Sequence, residues 1–324
     1  MAKKNKNNLY LIILLVLVVI YIISKYVVNV EPESNFDMNI LRLDTAQIAS
    51  LNIQTNKGQK EAIKIYKEDG NWQVEQGSQQ ALADQQAVRE LIITLADLKI
   101  QNLVGTDESK WKEQKLTDSL AIAVEVYNQD NQLIKDYYIG KFTYKQNDSP
   151  YPQRGRNNGI GLTYVRLASQ PESFIVEGFL PMTFNRQFSS LRNHHLVKVD
   201  QSKIDKIDFN YPADTAFNIA KADSGVFLIN QRDTVDSKKI NSFLGKLANY
   251  RERQFDDSFN SASSPAIFSM NITGKLLNEV KLNVYEKDTT NYVVTSSQFP
   301  KTNFVVKKSQ LTKNIFKSKQ SFIQ

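Results

Sequence analysis

The chain has 324 residues, no cysteine and two histidines, which excludes disulfide bonds, thiolate chemistry and cysteine-based zinc sites. Its formal net charge is +7, but four of its 41 basic residues lie at or before Lys25, and all 34 acidic residues follow it. The remaining 37 bases and 34 acids leave only +3 for the rest of the chain. This balance gives no support to nucleic-acid binding, so we predict no nucleic-acid partner.

An apolar stretch near the N-terminus, residues 9–28, is long enough to cross a bilayer as a helix. Its only charge is Lys25, three lysines precede it, and residues 29–37 contain acids but no base. The positive-inside rule predicts a cytoplasmic stub at 1–8, a transmembrane signal anchor at 9–28 and an extracytoplasmic, periplasmic remainder. We expect a single-pass protein of the inner (cytoplasmic) membrane. The alternative is a cleaved signal peptide, whose apolar core is usually shorter than this one.

The rest of the chain contains one pattern of residues twice. Residues 41–53, LRLDTAQIASLNI, align with residues 197–209, VKVDQSKIDKIDF, without a gap. Each copy continues with two alternating apolar runs around a turn, at Asp69-Gly70 in the first copy and Asp223-Ser224-Gly225 in the second. Period-2 alternation on both sides of such a turn is typical of a β-hairpin.

A helix is predicted next in each copy, over 83–98 and 235–250. Asp84 and Asp236 stand at the N-cap position, where a carboxylate accepts hydrogen bonds from free backbone N–H groups. Apolar residues then recur at i, i+3, i+4 and i+7, which predicts one buried face against the sheet of the same copy. These stripes are Val88, Leu91, Ile92 and Leu95 in the first copy, and Ile240, Phe243, Leu244 and Leu247 in the second.

Strands are predicted again after each helix, followed by a short polar or helical segment at 177–184 and at 307–316. The strands are the runs 120–128, 132–140 and 164–176 in the first copy, and 266–273, 279–286 and 292–306 in the second. We predict an α+β fold with two tandem modules, 38–190 and 195–318, each an antiparallel sheet with one packed helix. No Pro-rich or Gly-rich linker separates the copies, so we expect them to pack against each other.

Residue types that carry chemistry are scarce. The two histidines, His194 and His195, are adjacent, and neighbouring side chains point apart on a strand and lie about 100° apart on a helix. Joint metal chelation would require an irregular backbone. No nucleophile-elbow, zinc-protease or phosphate-loop motif is present. We therefore predict no catalytic residue, no metal site and no cofactor.

A stretch rich in Gly, Pro and Asn, residues 145–161, has no counterpart in the second copy and is predicted to be a long loop. Its arginines suit carboxylate or phosphate groups, so the loop is either an anion cradle or a solvated connection. Because function tends to be added on such loops, we predict an interaction surface at the junction of the modules. The histidines there are expected to gain charge as the pH falls towards about 6. The surface comprises Arg154, Arg156, Arg192, His194 and His195.

Several short motifs are shared with a known family. They are the D-G-x-W turn from Asp69 to Trp72, the A-D-x-x-x-V-x-x-L helix start within Ala83 to Leu95, the Y-x-I-G strand end from Tyr138 to Gly140, and the Y-V-R strand from Tyr164 to Arg166. In these motifs the chain resembles a bacterial domain-of-unknown-function family of the DUF4340 type. Members of that family combine one N-terminal membrane segment with an extracytoplasmic repeat module.

The resemblance implies a role as well as a fold. Members of the family are often encoded beside ABC-type export or gliding-associated transport components. We therefore expect a non-enzymatic accessory or scaffold protein of an ABC-type envelope transport complex. Its expected partners are the lipid bilayer, through residues 9–28, and a membrane or envelope protein. The alternative is an extracytoplasmic ligand-binding or hydrolytic protein that uses a cleft between the two modules.

Overall fold

A computed structural model describes residue 10, residues 13–19, residue 21, and residues 37–55, 61–146, 159–212 and 215–323. Within them the fold is α+β and consists mostly of two antiparallel sheets. The first sheet contains β1 (Ser50–Thr55), β2 (Ile63–Glu68), β3 (Asn71–Gln76), β4 (Gln79–Leu82), β5 (Ile100–Gly105), β6 (Ile122–Tyr127), β7 (Leu133–Gln146), β8 (Gly159–Leu167) and β9 (Ser173–Glu177). The second contains β10 (Lys206–Asn210), β11 (Phe217–Lys221), β12 (Phe227–Ile229), β13 (Asp233–Thr234), β14 (Gln254–Phe255), β15 (Phe268–Gly274), β16 (Leu277–Glu286), β17 (Asn291–Ser296) and β18 (Asn303–Lys307). Beyond the helical residues near the N-terminus, the α-helices of the described residues are α1 (Gln85–Ala96), α2 (Trp111–Gln114), α3 (Leu180–Phe184), α4 (Phe188–Leu191), α5 (Ser237–Leu247) and α6 (Lys308–Asn314).

The two sheets have the same strand order. The first runs β4-β3-β2-β1-β6-β7-β8-β9-β5, and the second runs β13-β12-β11-β10-β15-β16-β17-β18-β14. Every described strand of the first sheet thus has its counterpart nine strands later, at the same place in the second sheet. The internal repeat predicted from the sequence is confirmed.

The aligned segments at the start of each copy also share local structure. Asp44 and Asp200 each cap a short 3-10 helix, and each accepts a hydrogen bond at 2.9 Å from the backbone N–H two residues further on. The strand that follows is central in its sheet, so its apolar side chains are buried. Leu51 and Ile207, which the alignment pairs, are both fully buried. Complete burial of one such side chain contributes about 1.5–3 kcal/mol.

The predicted hairpin at Asp69-Gly70 forms between β2 and β3. Both turn residues have positive φ, 48° for Asp69 and 79° for Gly70, which matches the twist of the flanking strands. Gly70 adopts this conformation without the steric cost of a Cβ atom. The pairing of β2 with β3 begins at the residues that flank the turn, Glu68 with Asn71 and then Lys67 with Trp72. Trp72 is buried in the core of the first module, so its role is packing.

Both predicted helices form, with the predicted caps and buried faces. The Asp84 carboxylate accepts hydrogen bonds from two backbone N–H groups at the start of α1, and Asp236 does the same at the start of α5. In each helix the buried residues are the four of the predicted stripe. The stripes of α1 and α5 belong to separate hydrophobic cores, one for each sheet.

The strand that follows each helix was not predicted. α1 leads from β4, at one edge of the first sheet, to β5, which pairs with β9 at the opposite edge. α5 makes the same connection in the second sheet, from β13 to β14. The sequence-based description of a strand, a hairpin, a helix and a meander is therefore correct in outline, but it lacks β5 and β14 as well as the short strands β4 and β13 before the helices. The runs 164–176 and 292–306 also form two strands each.

The predicted anchor lies almost entirely outside the described residues. Of residues 9–28, the structure describes residues 10, 13–19 and 21, all of which are helical. No helix among the described residues combines the length and the apolar character needed to cross a membrane.

Candidate interaction site

The segment that connects the two sheets, residues 185–197, is extended over most of its second half, and we call it the linker. It adds to an edge of each sheet through backbone hydrogen bonds. Asn193 N donates to Leu82 O at 2.7 Å, at the last residue of β4, and Leu196 N donates to Tyr250 O at 2.8 Å, shortly before β14. The two modules are therefore packed together, as the absence of a flexible linker sequence predicted.

Arg192 is the buried centre of this junction. Its side chain is 2% exposed, although arginine is rarely buried without partners. Nη1 donates to Asp257 Oδ2 at 2.9 Å, and the guanidinium carbon lies 3.8 Å from the centroid of the Phe255 ring. Nε and Nη2 are buried and have no hydrogen-bond partner among the described residues. The guanidinium thus makes one ion pair and lies against two rings, those of Phe255 and, at 5.4 Å, Phe188, while two of its donor nitrogens have no partner among the described residues.

The two histidines lie in different environments. A ring nitrogen of His194, Nε2, lies 2.8 Å from Ser189 O. His195 is buried, and its Nδ1 lies 3.1 Å from Asn193 Oδ1. Burial lowers the pKa of His195, and two basic neighbours, Arg251 and Lys198, lower it further. His195 therefore remains neutral to a lower pH than we expected from the sequence.

A cleft of about 1330 Å³ opens beside the linker. One wall consists of strand ends of the first sheet, including Thr55 and Gln76, and the opposite wall includes β14 and Asn291 of the second module. Phe188 of the linker also lines it. Its charged lining residues are Glu61, Arg186, Arg192, Arg253, Asp257 and Lys287. The cleft therefore contains Arg192, one of the predicted site residues, and more basic than acidic groups.

The two remaining predicted site residues, Arg154 and Arg156, lie outside the described residues. The prediction of a loop over 145–161 is wrong at both ends, because β7 continues to Gln146 and β8 begins at Gly159. β7 and β8 pair beyond a β-bulge between Ile139 and Phe142. We call this additional hairpin, residues 142–146 and 159–163, the arm. The Y-x-I-G motif is therefore a bulge within a long strand and not a strand end.

The arm explains one glycine that suggested an anion cradle. A Cβ atom at position 161 would lie 2.5 Å from the ring of Phe179, so Gly161 is required by packing. The Phe179 ring also contacts Phe142 edge to face, with 5.6 Å between centroids. Phe142, Tyr144, Phe179 and Met182 are 42%, 66%, 39% and 64% exposed, respectively. We call these four side chains the apolar patch.

The arginine of the Y-V-R motif has a structural role. Arg166 is buried between two rings, with its guanidinium carbon 3.8 Å from the Trp111 centroid and 4.4 Å from the Tyr138 centroid. Its Nε donates to Leu116 O at 3.0 Å, and Nη1 donates to Leu167 O at 3.1 Å. This cluster fixes α2 and the following segment to the outer face of the first sheet.

Sequence reasoning did not identify the residues of the cleft, apart from Arg192. They come from strand ends and turns far apart in the chain, and none stands in a recognisable motif. The only signal was the missing flexible linker, which predicts contact between modules without locating it. Among the described residues, no group of three or more His, Cys, Asp or Glu side chains is arranged to hold a metal ion.

Comparison with known proteins identifies a family but no function. No curated protein and no solved structure matches the chain. One family model matches, described as a domain of unknown function, over residues 19–118 and 72–266. These two matches together cover well over half of the chain. The chain therefore belongs to the family of the domain of unknown function DUF4340.

Proposed function

We propose that this chain is a non-enzymatic accessory protein of an ABC-type envelope transport complex, anchored in the inner membrane by residues 9–28. The proposal rests on the resemblance to a family encoded beside transport components and on the charge pattern around the apolar stretch. In the described part of that stretch, the helical side chains are exposed and apolar, such as Leu14 and Leu17. This exposure supports a lipid-facing position, since none of these side chains packs into a protein core.

The observation that carries the accessory role is the arm. The two modules share one strand order, so the second module shows which features the fold requires. The arm has no counterpart there, since β17 follows β16 after the short turn between Glu286 and Asn291. It nevertheless supports the apolar patch, and exposed groups of large apolar side chains mark interaction sites in soluble domains. We infer that the arm contacts a membrane or envelope protein of the complex.

A photo-crosslinking experiment in intact cells tests this role. A photoreactive phenylalanine analogue at Tyr144 should form an adduct with a membrane transport component, identified by mass spectrometry. The matched control is the same analogue at Leu276, which is 92% exposed at the β15–β16 turn of the second module. An adduct specific to Tyr144 supports the role. No adduct from Tyr144, or the same adducts from both positions, refutes it.

A further inference from the structure

We propose that the cleft binds an extended, acidic peptide segment of a partner protein, which adds as a strand to the sheet edges that border it. The inference deepens the accessory role, and it rests on that role only for the source of the peptide. It depends on a different part of the molecule, because the cleft is formed by the linker and by both modules, whereas the apolar patch lies on the first module.

Two edge strands border the cleft. β4 is the last strand at one edge of the first sheet, and β14 is the last strand at one edge of the second. Gln79 of β4 and both residues of β14, Gln254 and Phe255, line the cleft. An edge strand presents unpaired backbone N–H and C=O groups, and it is a template for another extended segment.

The chain itself already adds an extended segment at both of these edges. The linker forms antiparallel bridges between Arg192 and Ala83, just after β4, and between His195 and Arg251, shortly before β14. In the described part of the chain, no further strand pairs with β4 or β14 on the side of the cleft. A peptide in the cleft would therefore continue the pairing that the linker begins.

The charge of the cleft selects an acidic peptide. Arg192 and Lys287 are each paired with an aspartate. Within the described residues, no carboxylate lies within 4.0 Å of the guanidinium nitrogens of Arg186 or Arg253, although both line the cleft. A guanidinium group binds a carboxylate through two parallel hydrogen bonds, so these two arginines suit Asp or Glu side chains of a strand.

The buried Arg192 strengthens this preference. Its positive charge lies where water is excluded and where Asp257 satisfies one of its donor nitrogens. Asp257 compensates this charge, but Nε and Nη2 have no partner among the described residues, and the donors of a cation bind anionic acceptors more strongly than neutral ones. The size of the cleft favours a peptide over a small acid, since 1330 Å³ exceeds the roughly 300–1,000 Å³ of small-molecule sites.

Selection from a random peptide library tests the proposal. The full-length chain, purified in detergent and immobilised, is offered a phage library of random 12-residue peptides, and the binding of enriched peptides is measured by fluorescence anisotropy. We expect enriched sequences to be rich in Asp and Glu. The double variant R186E/R253E should weaken their binding at least tenfold. The matched control R89E/R232E, which changes the same charge at exposed positions outside the cleft, should bind within twofold of the unmodified chain.

Two chemical controls separate strand addition from simple charge attraction. N-methylation of alternate backbone nitrogens in an enriched peptide should abolish binding, because it removes the donors that pair with an edge strand. Free glutamate and citrate should not compete at millimolar concentration. Thermal unfolding of each variant shows that it is folded, and R186Q/R253Q replaces the reversed charges if R186E/R253E does not fold.

Several results would overturn the proposal. They are no enrichment over empty detergent micelles, enriched peptides without acidic residues, binding that R186E/R253E leaves unchanged, tight binding of the N-methylated peptide, or equal affinity for citrate. Each of these would leave the accessory role intact, because crosslinking through Tyr144 does not depend on the cleft. Conversely, a failed crosslinking experiment would not affect peptide selection in vitro.

Discussion

Removal of the Asp257 carboxylate should destabilise the junction of the modules more than removal of its partner, Arg192. Asp257→Ala leaves the Arg192 guanidinium buried without a counter-ion, and its Nε and Nη2 already lack partners among the described residues. Loss of one partner of a fully buried ion pair costs about 3–5 kcal/mol. Because the Asp257 side chain is 36% exposed, solvent weakens the pair, and we expect a loss of about 2 kcal/mol.

Arg192→Met removes the buried charge together with its unsatisfied donors. The substitution removes the contact between the guanidinium and the Phe255 ring. Such a contact of a partly desolvated cation with a ring contributes about 1 kcal/mol. It retains most of the apolar volume, so no large cavity forms. We expect a cost of about 1 kcal/mol or less. In this background Asp257→Ala removes only the hydrogen bond that Gln79 Nε2 donates to Asp257 Oδ2 at 3.2 Å, at a cost of about 0.5 kcal/mol. The coupling free energy should therefore be about 1.5 kcal/mol.

Guanidinium-induced unfolding of the full-length chain measures these differences. Trp72 and Trp111, the only tryptophans, report on the first module by fluorescence, and far-ultraviolet circular dichroism reports on both. The two cores require separate transitions in the fit. Asp223→Ala, at an exposed turn of the second module, is the control for the loss of one acidic residue. Additive effects of the two junction substitutions, or an Asp257→Ala cost no larger than that of the control, would refute the reasoning.

Three further predictions follow from packing and charge. Leu91→Asp buries an unpaired charge against the first sheet, and denaturant titrations should show a loss of more than about 4 kcal/mol in the free energy of unfolding. The control is Ile93→Asp, at a 55% exposed position of the same helix, which should change that free energy by about 0.5 kcal/mol at most. The pKa of His195 is lowered in the native state, so below the ordinary value of 6.5 the native state binds fewer protons than the unfolded chain. The contribution of His195 to the free energy of unfolding is therefore present above pH 6.5 and is lost as the pH falls below it. His195→Gln should reduce this pH dependence of unfolding. Gly161→Ala should lower the unfolding temperature through a clash with Phe179, at a cost of about 1–3 kcal/mol, and Phe179→Ala in the same chain should recover part of the loss.

Elements whose signal is local could be predicted from the sequence. The N-caps at Asp84 and Asp236 each depend on a carboxylate and the next two or three backbone N–H groups, so a short window contains all the information. The same holds for the turn at Asp69-Gly70, where side-chain alternation and turn chemistry agree. The repeat could be recognised for a related reason. Equivalent positions such as Leu51 and Ile207 share their burial, and burial determines which residue types are tolerated.

Features that depend on distant pairing could not be predicted. β5 pairs with β9, more than 60 residues later in the chain. The sequence of a strand does not indicate which edge of the sheet the strand will occupy. β14 has only two residues, too few for any periodicity. The buried position of Arg192 was equally hidden, because its environment is provided by Phe255 and Asp257 of the other module. The sequence located the junction as a candidate site, and the alternative function predicted a cleft between the modules, but the residues that line this cleft could not be identified from the sequence.

The ties across the junction determine what kind of site the cleft is. Backbone hydrogen bonds join the linker to the first sheet at Leu82 and to the second module at Tyr250, so only the short stretch between Asn193 and Leu196 separates the two attachments. Arg251 Nη2 also lies 3.3 Å from Asp84 Oδ2, which connects the second module to the N-cap of α1. A hinge between the modules would need a segment without such pairing, and residues 191–197 do not provide one. These contacts hold the two edges beside the cleft in place before any ligand binds, which lowers the ordering cost of binding a peptide strand.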